Sequence, residues 1–384
     1  MSLDSLKNIS EQSTTGRLNE AYIICHQLAA EGSIPAWMIH LPVAVLGSWS
    51  FDHELWLVDP TTWHRIRGAQ MILSMKIISV AFDYGSGAII DLPNMAEYVG
   101  YCFHVGTVIF GPWISYQDYF RGLLTDILPL SWRWLWKCLS SFCLSILCLL
   151  YSTCITHWLI LDHAWIWLLA FRDAQSFRFS HYFVSFMSEA TAVLSGAGKT
   201  REDGEISWSL TVSKPHLIEL PRSLVEVVIN WNLPMHYWLK TYVFKSARPY
   251  GTFTAVIFTY AASSLLHGLN FQLAAVLLSL GLYSYVEFVF RAKLSKIFSA
   301  CIQAKRCKAT CDHQFKFQHP LVMVTNLIFL GLSMLHLAYL GLMFDSSTHE
   351  EEGYTMEHTL TKWYDLSFLS HKIVLGTYIV HLLI

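Results

Sequence analysis

The chain has 384 residues, of which 54% are hydrophobic and only 14% charged, and its net charge is −2. Soluble domains of this size carry about 25% charge. A deficit of this kind, with runs of roughly 20 apolar residues spread along the whole chain, makes lipid the main solvent. The charge balance excludes a broadly basic nucleic-acid binder. The spread of the runs favours one all-α polytopic transmembrane helical bundle over two soluble domains.

Residues 1–31 are polar and lack the basic-then-apolar layout of a signal peptide, so insertion is expected to rest on a later segment. Asn8-Ile9-Ser10 is the only glycosylation sequon. Residues 33–49 are apolar but interrupted by Pro35, His40 and Pro42, as in a thin span or a re-entrant piece. Residues 69–82 carry Lys76 at their middle and predict an amphipathic or buried half-span. Residues 97–113, with His104 inside, predict a span. Residues 134–161 form the strongest apolar run, with Arg121, Arg133 and Lys137 towards its N-terminal side. Its cysteines, Cys138, Cys143, Cys148 and Cys154, are expected to be small core hydrophobes. Residues 164–171 and 179–195 are short segments, the second holding Glu189, of the sort that lines a cavity or another helix.

Residues 201–205 are a solvated turn, and Pro215 and Pro221 break helices. Residues 223–239 then predict a helix interrupted at Pro234, and residues 252–266 lead to His267-Gly268. Three further spans are expected at 271–290, 321–344 and 366–384, for about eight in all plus short re-entrant or amphipathic helices. Arg291, Lys293, Lys296, Lys305, Arg306, Lys308 and Lys316 fill one loop, and Lys245 and Arg248 precede the run ending at His267. Short basic loops stay cytoplasmic, which puts His267 and the Glu350-Glu351-Glu352 loop on the lumenal side and the C-terminus in the cytosol.

An ionisable residue at the end of an apolar run is a functional-site candidate, and His267 lies thirty-five residues after Asn232. A neutral imidazole can take a proton from an attacking hydroxyl, and an asparagine amide can donate to the oxyanion or orient the ring. No Gly-x-Ser-x-Gly elbow is present, so such a histidine would act directly on an acceptor hydroxyl. Two other readings stand beside this one. His267 can cap a helix near the interface, or serve as a proton relay in a transporter, although the absence of internal repeats speaks against the latter. Cys301, Cys307, Cys311 and His313 form a Cys-x5-Cys-x3-Cys-x-His cluster in the basic loop. It is open to three uses: a tetrahedral zinc site with loose spacings, membrane-proximal acylation, or unliganded thiols kept reduced in the cytosol.

Trp231-Asn232-Leu233-Pro234-Met235 followed by Ala262-Ser263-Ser264-Leu265-Leu266-His267-Gly268 resembles the paired Asn and His of the membrane-bound O-acyltransferase (MBOAT) family. The stretches 62–71, 110–115, 188–192, 210–215 and 219–223 are similar to the branch of that family that acylates Wnt proteins. The resemblance runs from Asp59 to the C-terminus. It implies a multi-pass enzyme of the endoplasmic reticulum membrane that transfers a monounsaturated acyl group from acyl-CoA, palmitoleoyl-CoA, to a serine of Wnt proteins in the lumen. It implies no further cofactor, catalytic roles for His267 and Asn232, and substrate contacts at Trp231, Ser263 and Leu266. Membrane lipid is the other expected partner, and no metal is expected in the catalytic site. Residues 1–58 read as a divergent, shortened N-terminal region before an acyltransferase core at 59–384. Missing opening spans would make an inactive, Wnt-binding scaffold an alternative, alongside an acyltransferase with another lipid or peptide acceptor. A basic insertion that some relatives carry before the stretch 173–177 is also absent.

Overall fold

The computed structural model describes residues 60–124, 131–202, 205–268, 271–308, 310–344 and 356–384. The 1–58 region with its 33–49 segment, the Asn8 sequon and the acidic 350–352 loop lie outside the described residues. Helix α1, Pro60–Gly85, buries Lys76 completely. Its three ammonium donors go to the carbonyls of Tyr101 (2.8 Å) and Cys102 (3.4 Å) and to Thr107 Oγ1 (2.9 Å). Those acceptors sit at the end of α2, Met95–Cys102, and in α3, Val105–Val108. The expected span over 97–113 is therefore replaced by two short helices broken at His104. The carbonyls freed at the break are satisfied by a lysine from another segment.

After α4, Tyr116–Leu124, comes α5, Trp132–Leu150, started by the Ser131 side chain accepting the Trp134 N–H at 3.2 Å. It continues through a π-helical turn at Tyr151–Ile155 into Thr156–Leu159. The two short segments expected at 164–171 and 179–195 are in fact one helix, α6, Ile166–Leu194. The charges between them do not end it because each finds a partner. Arg172 pairs with Asp162 at 2.6 Å and Asp173 at 2.9 Å, and Arg178 forms a bidentate pair with Glu219 at 2.8 and 2.9 Å. Glu189, buried, takes hydrogen bonds from Lys137 (2.6 Å), Ser141 (3.3 Å) and the Val212 N–H (2.7 Å).

A small hairpin, β1 Lys199–Glu202 with β2 Glu205–Trp208, occupies the expected turn region. Helices α7 (Pro215–Glu219), α8 (Leu224–Trp231) and α9 (Leu233–Trp238) follow, the last running on through a π-helical turn at Leu239–Phe244. The interruption is at Asn232, in extended backbone at φ −148°, and not at Pro234. Pro234 falls in the first turn of α9, where a missing N–H leaves no bond unmade. Then come α10 (Thr252–Leu266), α11 (Phe271–Ile297), α12 (Pro320–Gly341), α13 (Met356–Asp365) and α14 (Leu369–Leu383).

Three of these helical stretches, 132–159, 271–297 and 320–344, are long and apolar enough to cross a membrane. The α13–α14 pair, bent by 72°, adds a fourth if counted as one span. The expected count of about eight is not confirmed among the described residues: α1 and α6 carry charges, and α10 has only 15 residues. Helix α5 lies along α6, α6 against α12, α10 against α11, and α11 against α14. Close approach is built in at Gly341, where a Cβ would stand 2.4 Å from Ala174 Cβ. The central core gathers Tyr182 of α6, Leu224 of α8, Tyr283 of α11 and Tyr339 of α12.

Candidate functional site

His267 is the residue that ends α10. Its N–H bonds to the carbonyls of Ser263 and Ser264 at 3.3 and 3.1 Å, and Gly268 at φ +93° turns the chain away. All of this is backbone work. The half-buried imidazole makes no hydrogen bond to any described residue, so the cap reading and a chemical role are compatible.

Asn232 sits between α8 and α9 and caps the latter: Oδ1 accepts the Met235 N–H at 3.0 Å, and the carbonyl accepts the His236 N–H at 2.8 Å. The cap fixes the amide's orientation, because an N–H can be met only by the oxygen. The Nδ2 group, with two donors, is left without a partner among the described residues. Met235, one turn into α9, and Ala262, near the end of α10, are buried in one cluster with Ile72 and Met75 of α1, and Leu266 packs on it. Trp238 Nε1 donates to the Met75 carbonyl at 3.0 Å and ties α9 to α1. The structure thus brings the segments bearing Asn232 and His267 to one wall, without a hydrogen bond between the two side chains. Next to that wall an apolar cleft is lined by Ile78, Phe82, Trp238, Tyr242, Val243 and Phe258.

Trp231 is held on both its ring and its backbone. His181 stacks on it with ring centroids 4.4 Å apart, and His181 Nε2 donates to the Trp231 carbonyl at 3.0 Å. Ser263 is buried at 7% exposure, its carbonyl engaged by His267. A protein-family model described as the membrane-bound O-acyltransferase family matches residues 65–341. The chain belongs to the membrane-bound O-acyltransferase family.

Within that family the chain is 48% identical over 353 residues to the protein-serine O-palmitoleoyltransferase porcupine of Homo sapiens, covering 86% of this chain and 76% of the relative. It is 36% identical over 353 residues to the porcupine of Anopheles gambiae, covering 86% and 71%. Lysophospholipid acyltransferase 1 of Arabidopsis thaliana is more distant, 24% identical over 251 residues and covering 53% of this chain.

Sequence reasoning passed over His181 in this MBOAT chain. The signal available was an imidazole in the apolar stretch 179–195, where Glu189 drew attention instead. The second expected group also assembles, away from His267, in the loop between α11 and α12. Cys301, Cys307, Cys311 and His313 each offer a ligand atom, all within 4.8 Å of one another. Burial pushes the Cys301 thiol up, while hydrogen bonds within the cluster draw the Cys311 thiol down.

Proposed function

We propose that this protein transfers a palmitoleoyl group from its coenzyme A thioester to a serine hydroxyl of Wnt proteins at the endoplasmic reticulum membrane. The observation that carries this reading is the 48% identity, over 86% of the chain, to a protein-serine O-palmitoleoyltransferase. The geometry around His267 and Asn232 suits the chemistry. As the serine oxygen bonds to the thioester carbonyl carbon, His267 takes its proton. The oxyanion that forms is met by the uncommitted Nδ2–H of Asn232. When the carbon–sulfur bond breaks, the imidazolium returns the proton to the departing thiolate. Ester and free coenzyme A leave, and the histidine is neutral again. The acyl donor is a co-substrate, and its hydrocarbon tail suits the apolar cleft beside α1, α9 and α10.

His267 has to be reached from two sides, by a donor made in the cytosol and an acceptor in the lumen. Arg291, Lys293 and Lys296, expected in a loop, are in the last turns of α11, and Lys305, Arg306, Lys308 and Lys316 fill the loop beyond it. Half-burial of the ring at a helix end, with those four cations beyond the far end of the next helix, supports that arrangement. The test is to incubate the purified protein with palmitoleoyl-CoA and a Wnt peptide containing the acceptor serine, beside a lysophospholipid acceptor. Acylation of the peptide, lost when its serine is replaced by alanine, is the expected result. Acylation of the lysophospholipid alone would replace this reading with the lipid-acceptor one.

A further inference from the structure

The cysteine–histidine cluster lies outside the acyl-transfer wall and is built as a metal site. A tetrahedral Zn²⁺ with Zn–S of about 2.3 Å and Zn–N of about 2.0–2.1 Å separates sulfur from sulfur by ~3.8 Å and sulfur from nitrogen by ~3.6 Å. Here Cys301 Sγ is 3.4 Å from Cys311 Sγ, and His313 Nδ1 is 3.7 Å from the Sγ atoms of both Cys301 and Cys307. We propose that Cys301, Cys307, Cys311 and His313 bind one structural Zn²⁺.

The surrounding hydrogen bonds prepare the imidazole for that role. Ser295 Oγ donates its single proton to the Ala300 carbonyl at 2.7 Å. Its 2.9 Å contact with His313 Nε2 is therefore one in which the ring N–H donates and the hydroxyl accepts. Nδ1 is thereby left as a lone pair, and Nδ1 is the nitrogen that meets the sulfurs. Fixing a ligand's tautomer through its other ring nitrogen is how metal-binding histidines are oriented. Three thiolates and a neutral imidazole on a divalent cation leave one negative charge. Lys316 Nζ lies 3.4 Å from Cys311 Sγ and also donates to the Cys311 carbonyl. A Cys301–Cys311 disulfide would use two of the four groups and leave the oriented Nδ1 without purpose. Lipidation suits Cys301 poorly, since it is buried at 4% exposure.

With four protein ligands the ion has no open position for substrate, so its work is structural. It holds the loop whose backbone braces α8. Arg222 donates to the carbonyls of Cys301 (2.7 Å) and Gln303 (3.0 Å), and Ser223, which caps α8 by accepting the Glu226 N–H, donates to the Ala304 carbonyl at 3.0 Å. Asn232 follows directly at the other end of that helix.

Metal analysis of the full chain, purified in detergent without chelator, is expected to give about one zinc per molecule, as a closed four-ligand site requires. Cys307→Ser and His313→Ala should each lose it, and Cys154→Ser, at an exposed thiol elsewhere, should keep it. Replacement by Co²⁺ in the native protein should bring strong thiolate-to-cobalt absorption and tetrahedral d–d bands. Stripping the ion should lower the thermal midpoint, and adding Zn²⁺ should restore it. Less than about a tenth of an equivalent in the native protein, against the tight binding of structural zinc, overturns the proposal. So does zinc retained in both Cys307→Ser and His313→Ala. Neither readout depends on the acyl-transfer assignment.

Discussion

Asn232 uses the two ends of one amide for different purposes, and Asn232→Asp separates them. The carboxylate keeps an acceptor for the Met235 N–H, now met at 3.0 Å, and Asp and Asn are about equally good caps. The uncommitted Nδ2–H donors are lost. Removing one positioned oxyanion donor costs about 10²–10³ in turnover, roughly 2.7–4 kcal/mol, and a negative charge beside a forming oxyanion can only add to that. Asn232→Ala loses the donor and the cap together, so it should show the same order of rate loss plus about 0.5–2 kcal/mol of stability. The expected pattern is therefore an aspartate variant that folds better than the alanine variant and yet transfers no faster. Initial rates of acyl transfer to a Wnt peptide, read beside thermal unfolding of the same detergent-solubilised preparations, give both quantities. Were Asn232 only a cap, activity would follow stability. Near wild-type transfer by Asn232→Asp would refute the donor role.

His267→Ala should abolish transfer with little change in the thermal midpoint, because the bonds that end α10 are made by the backbone; substantial transfer in a detergent assay would remove His267 as the base. Lys76→Met should destabilise the protein by about 1–3 kcal/mol by leaving the Tyr101 carbonyl and Thr107 hydroxyl buried without their donor, and an unchanged unfolding midpoint would contradict the pinning of α2 and α3 to α1. Gly341→Leu should cost about 1–3 kcal/mol through overpacking against Ala174, readable as a lowered midpoint, whereas a tolerated leucine would mean that α6 and α12 can move apart. A glycosylation sequon engineered within 346–352 should be modified and one beside Lys308 should not; the reverse pattern would invert the second half of the chain and place His267 on the cytosolic face.

The residues proposed to carry chemistry were easier to single out than the extents of the helices that hold them. His267 stood out because it closes an apolar stretch, and Asn232 because the motif around it pairs with the histidine's. The extents of the helices were misjudged where charges were taken for boundaries. Arg172, Arg178 and Glu189 lie inside one continuous α6, stabilised by Asp162, Glu219 and Lys137, partners 10, 41 and 52 residues away. No window of local hydropathy, about 19 residues wide, reaches the last two of those partners. The 97–113 stretch failed in the opposite sense: it is apolar enough for a span, but Lys76, 25 residues from Tyr101, captures its backbone. His181 escaped notice for the same reason, since its partner is the carbonyl of Trp231, 50 residues on. Pro234 was the local misreading. A proline signals a helix start as readily as a break, and the asparagine two residues before it supplies the cap that decides between them.

That capping asparagine also shows how a short, broken stretch of helix can hold an amide steadily. On its N-terminal side, α8 is capped by Ser223, whose hydroxyl is held to the Ala304 carbonyl, and Arg291 donates to the Arg222 carbonyl at 2.6 Å. On its C-terminal side, α9 is tied through Trp238 to α1. The break between α8 and α9 is therefore fixed by both flanking helices rather than by its own sequence. Backbone groups at a break inside an apolar bundle must be met by protein; here the Asn232 carbonyl accepts the His236 N–H and its side chain meets the Met235 N–H. Because that bond occupies only the amide oxygen, the nitrogen keeps both donors uncommitted among the described residues. Stability and the proposed donor role at this position therefore rest on one geometric constraint, and the aspartate and alanine substitutions pull them apart.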